Sequence, residues 1–90
     1  MVNDYKDAVW CNVEIGVAEQ TVHCPGGDTY KVPVDYLAAS IAQTCYHLSK
    51  KDILLFGPLQ YINMFRNEIM EYEQELYGLN NLNVICEGEI

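Results

Sequence analysis

The hydrophobic residues change period at Pro33, and no other feature constrains the fold so tightly. Before it, Val9, Cys11, Val13, Ile15 and Val17 alternate with Trp10, Asn12, Glu14 and Gly16. A period of two marks a strand with one buried face, so a long first strand is predicted, with a turn or bend over Gly16 to Glu19. Thr21 to Cys24 reads as a second strand. In Pro25-Gly26-Gly27-Asp28 two glycines supply positive φ and the proline fixes the approach, which makes a turn. Thr29 to Val32 returns as a third strand, so the first third of the chain is an antiparallel meander. After Pro33, the apolar residues Val34, Leu37, Ala38, Ile41, Ala42, Cys45 and Leu48 recur at threes and fours. That is one stripe of a helix, with Pro33 suited to its first turn and Lys50-Lys51 near its negative end.

Ile53-Leu54-Leu55-Phe56 is apolar on both faces, as a covered parallel strand is. Gly57-Pro58 opens a second helix from Leu59 to Tyr77, with Ile62, Phe65, Ile69, Tyr72 and Leu76 as its buried stripe and Gly78 as its C-cap. Asn80-Asn81 make a loop, Leu82 to Cys86 a last strand, and Glu87 to Ile90 a short acidic tail. Ninety residues suffice for one core and not two, so 1–90 reads as a single domain. The element order is βββαβαβ, and right-handed crossovers place the last two strands parallel to the first. The expected fold is α+β or α/β, a five-stranded mixed sheet with two helices. In element order the chain resembles a trimmed ribonuclease H-like domain. The alternative is a ferredoxin-like or other two-layer α+β sandwich, with both helices on one face.

The ribonuclease H-like resemblance implies a test of function. Nucleases of that family hold divalent metal on carboxylates from the first strand, the first helix and the end of the fourth strand. Here the first strand offers only Glu14, and the first helix has Asp35 at its start, with Gln43 and His47 deeper in. The fourth strand ends in Phe56-Gly57, and Asp52 precedes it at the wrong end. The resemblance therefore implies a degenerate scaffold, since fold does not imply function. Gly57-Pro58 sits where a phosphate-binding turn would, but lacks the further glycines and the lysine of a P-loop. The four cysteines, 11, 24, 45 and 86, are widely spaced and read as reduced, apolar thiols. His23-Cys24 and Cys45-x-His47 are the one zinc-like constellation. Adjacent residues on a strand point to opposite faces, which counts against joint ligation. No metal, cofactor or catalytic residue is assigned.

Charge is the least random feature. The net charge is −8, which argues against a nucleic-acid binder. From Asn67 to Ile90 there are six acids and no Lys or Arg, whereas residues 1 to 66 hold seven acids and all five bases. Glu68, Glu71 and Glu75 share one helix face, where like charges repel, and Glu73 and Glu75 lie near the helix C-terminus, where the dipole disfavours anions. Such a face either keeps the protein soluble or docks on a basic partner. Seven tyrosines and Trp10 exceed what so small a core can absorb, so several rings should be exposed. The candidate partner-binding residues are Glu68, Glu71, Glu73, Glu75, Tyr61, Tyr77 and Trp10. The expected function is a non-enzymatic acidic module that binds a basic protein surface. In gross character the chain is similar to small phage-encoded inhibitors such as anti-CRISPR proteins. The alternatives are an assembly subunit that self-associates through Trp10 and the tyrosines, and a small Cys/His metal- or thiol-dependent enzyme. No apolar run approaches the roughly 18 residues of a membrane helix, and the first residues lack the pattern of a signal peptide. A cytoplasmic location is expected.

Overall fold

The computed structural model describes residues 7–88. The expected N-terminal start and the Glu89-Ile90 end of the acidic tail lie outside the described residues. The chain forms β1 (Val9–Asn12), β2 (Glu19–His23), β3 (Thr29–Pro33), a 3-10 turn (Val34–Tyr36), α1 (Leu37–Leu48), β4 (Asp52–Phe56), α2 (Leu59–Tyr77) and β5 (Asn83–Glu87). This is an α+β fold, and its order is βββαβαβ as the sequence predicts. The sheet runs β3-β2-β1-β4-β5. β2 is antiparallel to both neighbours, while β1, β4 and β5 are mutually parallel, with Val9 beside Ile53 and Ile53 beside Val84.

Both crossovers, β3-α1-β4 and β4-α2-β5, step toward the β5 edge. Right-handedness then puts both helices on the same face. The core is accordingly one layer: Val9, Cys11, Val22, Ile53 and Leu55 from the sheet meet Leu37, Ile41, Cys45, Ile62, Phe65 and Ile69 from the helices. The layering is that of the two-layer alternative. Tyr30 fastens α1 to the β3 edge, where its hydroxyl bonds Thr44 Oγ1 at 2.7 Å and accepts from Ser40 Oγ at 2.8 Å.

Three expectations need correction. The first strand ends at Asn12, and although Val13 is buried, Ile15 is 66 % exposed. The reason is Gln20, which is 1 % exposed. Its Oε1 accepts the Glu14 N–H, and its Nε2 donates to the carbonyls of Glu14 and Val17. One buried amide thus satisfies the backbone that strand pairing would otherwise have to satisfy, and the chain loops around it. Pro33 ends β3 instead of starting the helix, because the 3-10 turn intervenes before α1. Leu48 and Leu76 are exposed: each stripe runs past the end of the layer that would cover it. The limits of α2 are those predicted, and Gly78 caps it in the left-handed region at φ +66°, donating its N–H to Gln74.

Candidate protein-interaction surface

The structure distributes the seven expected partner-binding residues over four places. Glu68, Glu71 and Glu75 lie exposed on α2. At 100° per residue they fall with exposed Met64 inside an arc of about 60°. No lysine or arginine stands three or four residues from any of the three, so the helix does not neutralise them. Tyr61 flanks this arc, half-buried, with its ring edge-on to Phe65 at 5.1 Å. Tyr77 does not share the arc. It stacks on Tyr46 of α1, centroids 3.9 Å apart and planes 4° from parallel. Trp10 is on the opposite face of the sheet, stacked on His23 at 3.7 Å and edge-on to Phe56.

Glu73 is the correction that matters most. It is 4 % exposed and cannot belong to a docking face. It continues the stripe Ile62, Phe65, Ile69 and points into the base of the core. Its two carboxylate oxygens accept the Asn81 N–H at 3.1 and 3.0 Å, and Oε1 accepts the Leu82 N–H at 3.3 Å. Charge-assisted bonds of this kind offset both burial and the unfavourable helix end. Glu73 therefore ties the α2–β5 loop to the helix. The signal was present in the sequence: Glu73 stands four residues after Ile69, on the buried stripe, where an acid needs a specific partner.

Two concavities flank these elements. One, of about 610 Å³, opens between the C-terminal ends of α1 and α2 and the loop before β5, with Tyr46, Tyr77, Lys50, Lys51, Glu73 and Leu82 in its wall. The other, of about 540 Å³, lies at the carboxyl ends of β1, β4 and β5, where ligands of parallel sheets commonly sit. Its charged lining is Glu14 and Glu87, with no cation, so it does not suit phosphate. It is tightly closed at the back. Gly57 has φ +145°, and a Cβ there would stand 2.6 Å from the Val13 carbonyl oxygen, while a Cβ on Gly88 would overlap the Gly57 carbonyl.

The zinc-like constellation is scattered. His23 is on the open face of the sheet with Trp10, and His47 is exposed beside Tyr46. Cys24 and Cys45 are within electrostatic range of each other. Among the described residues no three of His, Cys, Asp and Glu are grouped to hold a metal ion. Burial pushes the thiols of Cys11 and Cys45 from 9.0 up to about 12, helped by the charges of Glu14 at Cys11 and of Glu73 and Asp52 at Cys45. Such thiols stay protonated at neutral pH and are poor nucleophiles. No helix among the described residues is long and apolar enough to cross a membrane. Comparison with protein-family models, with curated proteins and with solved structures finds no match for the chain.

Proposed function

We propose that the chain is a non-enzymatic protein-binding module that docks the acidic face of α2 on a basic surface of its partner. The observation that supports this most is the exposed set Glu68, Glu71 and Glu75 with Met64, held in register on one helix and unneutralised by any neighbour along it. Such a set gives a partner directional charge and one apolar contact, the composition of an interface rim with an anchor. An inhibitor that occupies a groove built for nucleic-acid phosphates is one form of the same reading. The element order supports reading the scaffold as ribonuclease H-like in connectivity, while its layering, with both helices on one face, is that of the two-layer alternative. The end of β4 holds Phe56 and Gly57 where that resemblance would need an acid.

Capture from a lysate at low and high salt identifies the partner, and on-rates then test the face. Replacing Glu68, Glu71 and Glu75 together with glutamine keeps length and helix propensity and removes three charges. Association should slow most at low salt, by roughly tenfold or more, and the difference should shrink as salt screens the encounter. Equal on-rates for both proteins at both salt concentrations remove the acidic face from function.

A further inference from the structure

The two edges of the sheet are guarded differently. Along β3, the Cys24 N–H donates to Asp28 and the Val34 N–H donates to Ala18. Even-numbered residues there face β2, so Thr29, Lys31 and Pro33 turn their backbone groups outward. An exposed lysine and a proline without an N–H are common guards of an open edge. Along β5, the Asn83 N–H donates to Lys51 and the Glu87 carbonyl accepts from Gly57. Asn83, Ile85 and Glu87 therefore bond to β4, and Val84 and Cys86 direct their N–H and C=O groups away from the sheet. No described residue bonds to these outward groups. The strand, Asn-Val-Ile-Cys-Glu, has neither lysine nor proline, and its ladder to β4 is unbroken by a bulge.

We infer that β5 pairs with β5 of a second copy of this chain, antiparallel, about a two-fold axis at Ile85. This surface is separate from the acidic face proposed above. In an antiparallel ladder outward-bonding residues oppose one another. An axis at Ile85 sets Val84 against Cys86 of the second copy and Cys86 against its Val84, so every outward N–H and C=O finds a partner. Ile85 then meets its own copy as the non-bonded pair, with Cα atoms about 4.5 Å apart. Ile85 lies on the sheet face away from the helices and is 40 % exposed, so the contact buries apolar surface that the single chain leaves wet.

Charge selects the same register. Glu87 would face Asn83 of the second copy, whose side-chain amide donates to Asp52 Oδ1 at 3.2 Å and stands between the two acids, and the two Glu87 residues would stand about 13 Å apart, beyond the Debye length of about 8 Å. An axis at Cys86 brings the glutamates within about two residues, roughly 7 Å. An axis at Val84 sets Cys86 against Leu82, whose N–H is already held by Glu73. The acidic face does not oppose the pairing. Arg66 is the charge of α2 that acts on Cys86, and Glu68, Glu71 and Glu75 lie about 140° to 200° round the helix from it.

Sedimentation of the full chain from about 1 to 100 μM reads the association directly. The wild type should show a reversible dimer. Ile85→Lys sets two cations face to face at the axis and should raise the dissociation constant by roughly tenfold or more, with an unchanged circular dichroism spectrum. Mild oxidation supplies an independent reading of register. Ile85→Cys should give a disulfide-linked dimer beyond the wild-type background, since its Cα separation suits a disulfide, whereas Asn83→Cys, about 13 Å from its counterpart, should not. If Ile85→Lys loses its fold, the two cysteine variants decide. A wild type that stays monomeric throughout, a dimer unaffected by a folded Ile85→Lys variant, or equal cross-linking at 83 and 85 would each overturn the inference.

Discussion

Replacing Glu73 tests whether a charge on the acidic helix is structural, and the neighbouring glutamates supply its control. Glu73→Ala removes a carboxylate that accepts the Asn81 and Leu82 N–H groups at 3.0 to 3.3 Å. A hydrogen bond to a charged group contributes about 1.5 to 3 kcal/mol, and an orphaned donor that stays buried costs about 1 to 3 kcal/mol. Asn81 is exposed, so its N–H can return to water, while Leu82 is half-buried and partly cannot. The helix end disfavours the anion by roughly 0.3 to 1 kcal/mol, which is recovered on removal. The net loss should be about 2 to 4 kcal/mol. A 90-residue domain has on the order of 5 to 13 kcal/mol of stability, so this is a large share. In thermal unfolding the midpoint should fall by roughly 10 to 25 °C. Glu75→Ala, two residues on but exposed, should change stability by no more than about 0.5 kcal/mol. A Glu73→Ala variant that loses less than about 1 kcal/mol, or no more than Glu75→Ala, would refute the argument that Glu73 holds the loop.

Other outcomes follow from the same packing. Ile41→Ala and Ile69→Ala, at fully buried positions of α1 and α2, should each cost about 2 to 5 kcal/mol in urea unfolding. Gly57→Ala combines a disfavoured φ of +145° with a Cβ at 2.6 Å from the Val13 carbonyl oxygen, and should cost more than about 2 kcal/mol; a neutral result would show that the β1–β4 ends open easily. Native Cys11 and Cys45 should resist an aromatic disulfide reagent at pH 8 and react only on unfolding, measured by released chromophore. Because their folded pKa is raised from 9.0 to about 12, the stability carried by the protonated thiols is complete below about pH 9 and is lost as pH rises toward 12. Unfolding free energy that stays level across that window would contradict the burial of both thiols.

Most of the elements can be placed from local signals in the chain. The change of period at Pro33, the double-glycine turn at Gly26-Gly27 and the stop at Gly78 are local signals, written in backbone freedom and in the spacing of apolar residues. They sufficed for the limits of α2, for β4 as a covered strand and for the element order. Glu68, Glu71 and Glu75 were also legible as a shared face, because three- and four-residue spacing fixes a helix face whatever surrounds it. Tertiary structure decided the rest. Val13, Ile15 and Val17 continue the alternation of β1, yet the strand stops at Asn12 because Gln20, in another strand, takes over the backbone bonds. Glu73 and Glu75 carry the same charge two residues apart, yet one is buried and the other wet. The four-residue spacing from Ile69 already turns Glu73 inward, but only the loop at Asn81 and Leu82 supplies the N–H donors that let its carboxylate stay there. Tyr77, about 200° round the helix from Glu75, is off the acidic face by spacing alone, but only the fold brings it against Tyr46. Each of these depends on contacts between residues distant in the chain. Local periodicity can say which side a residue is on, but only the assembled fold supplies the group it meets there.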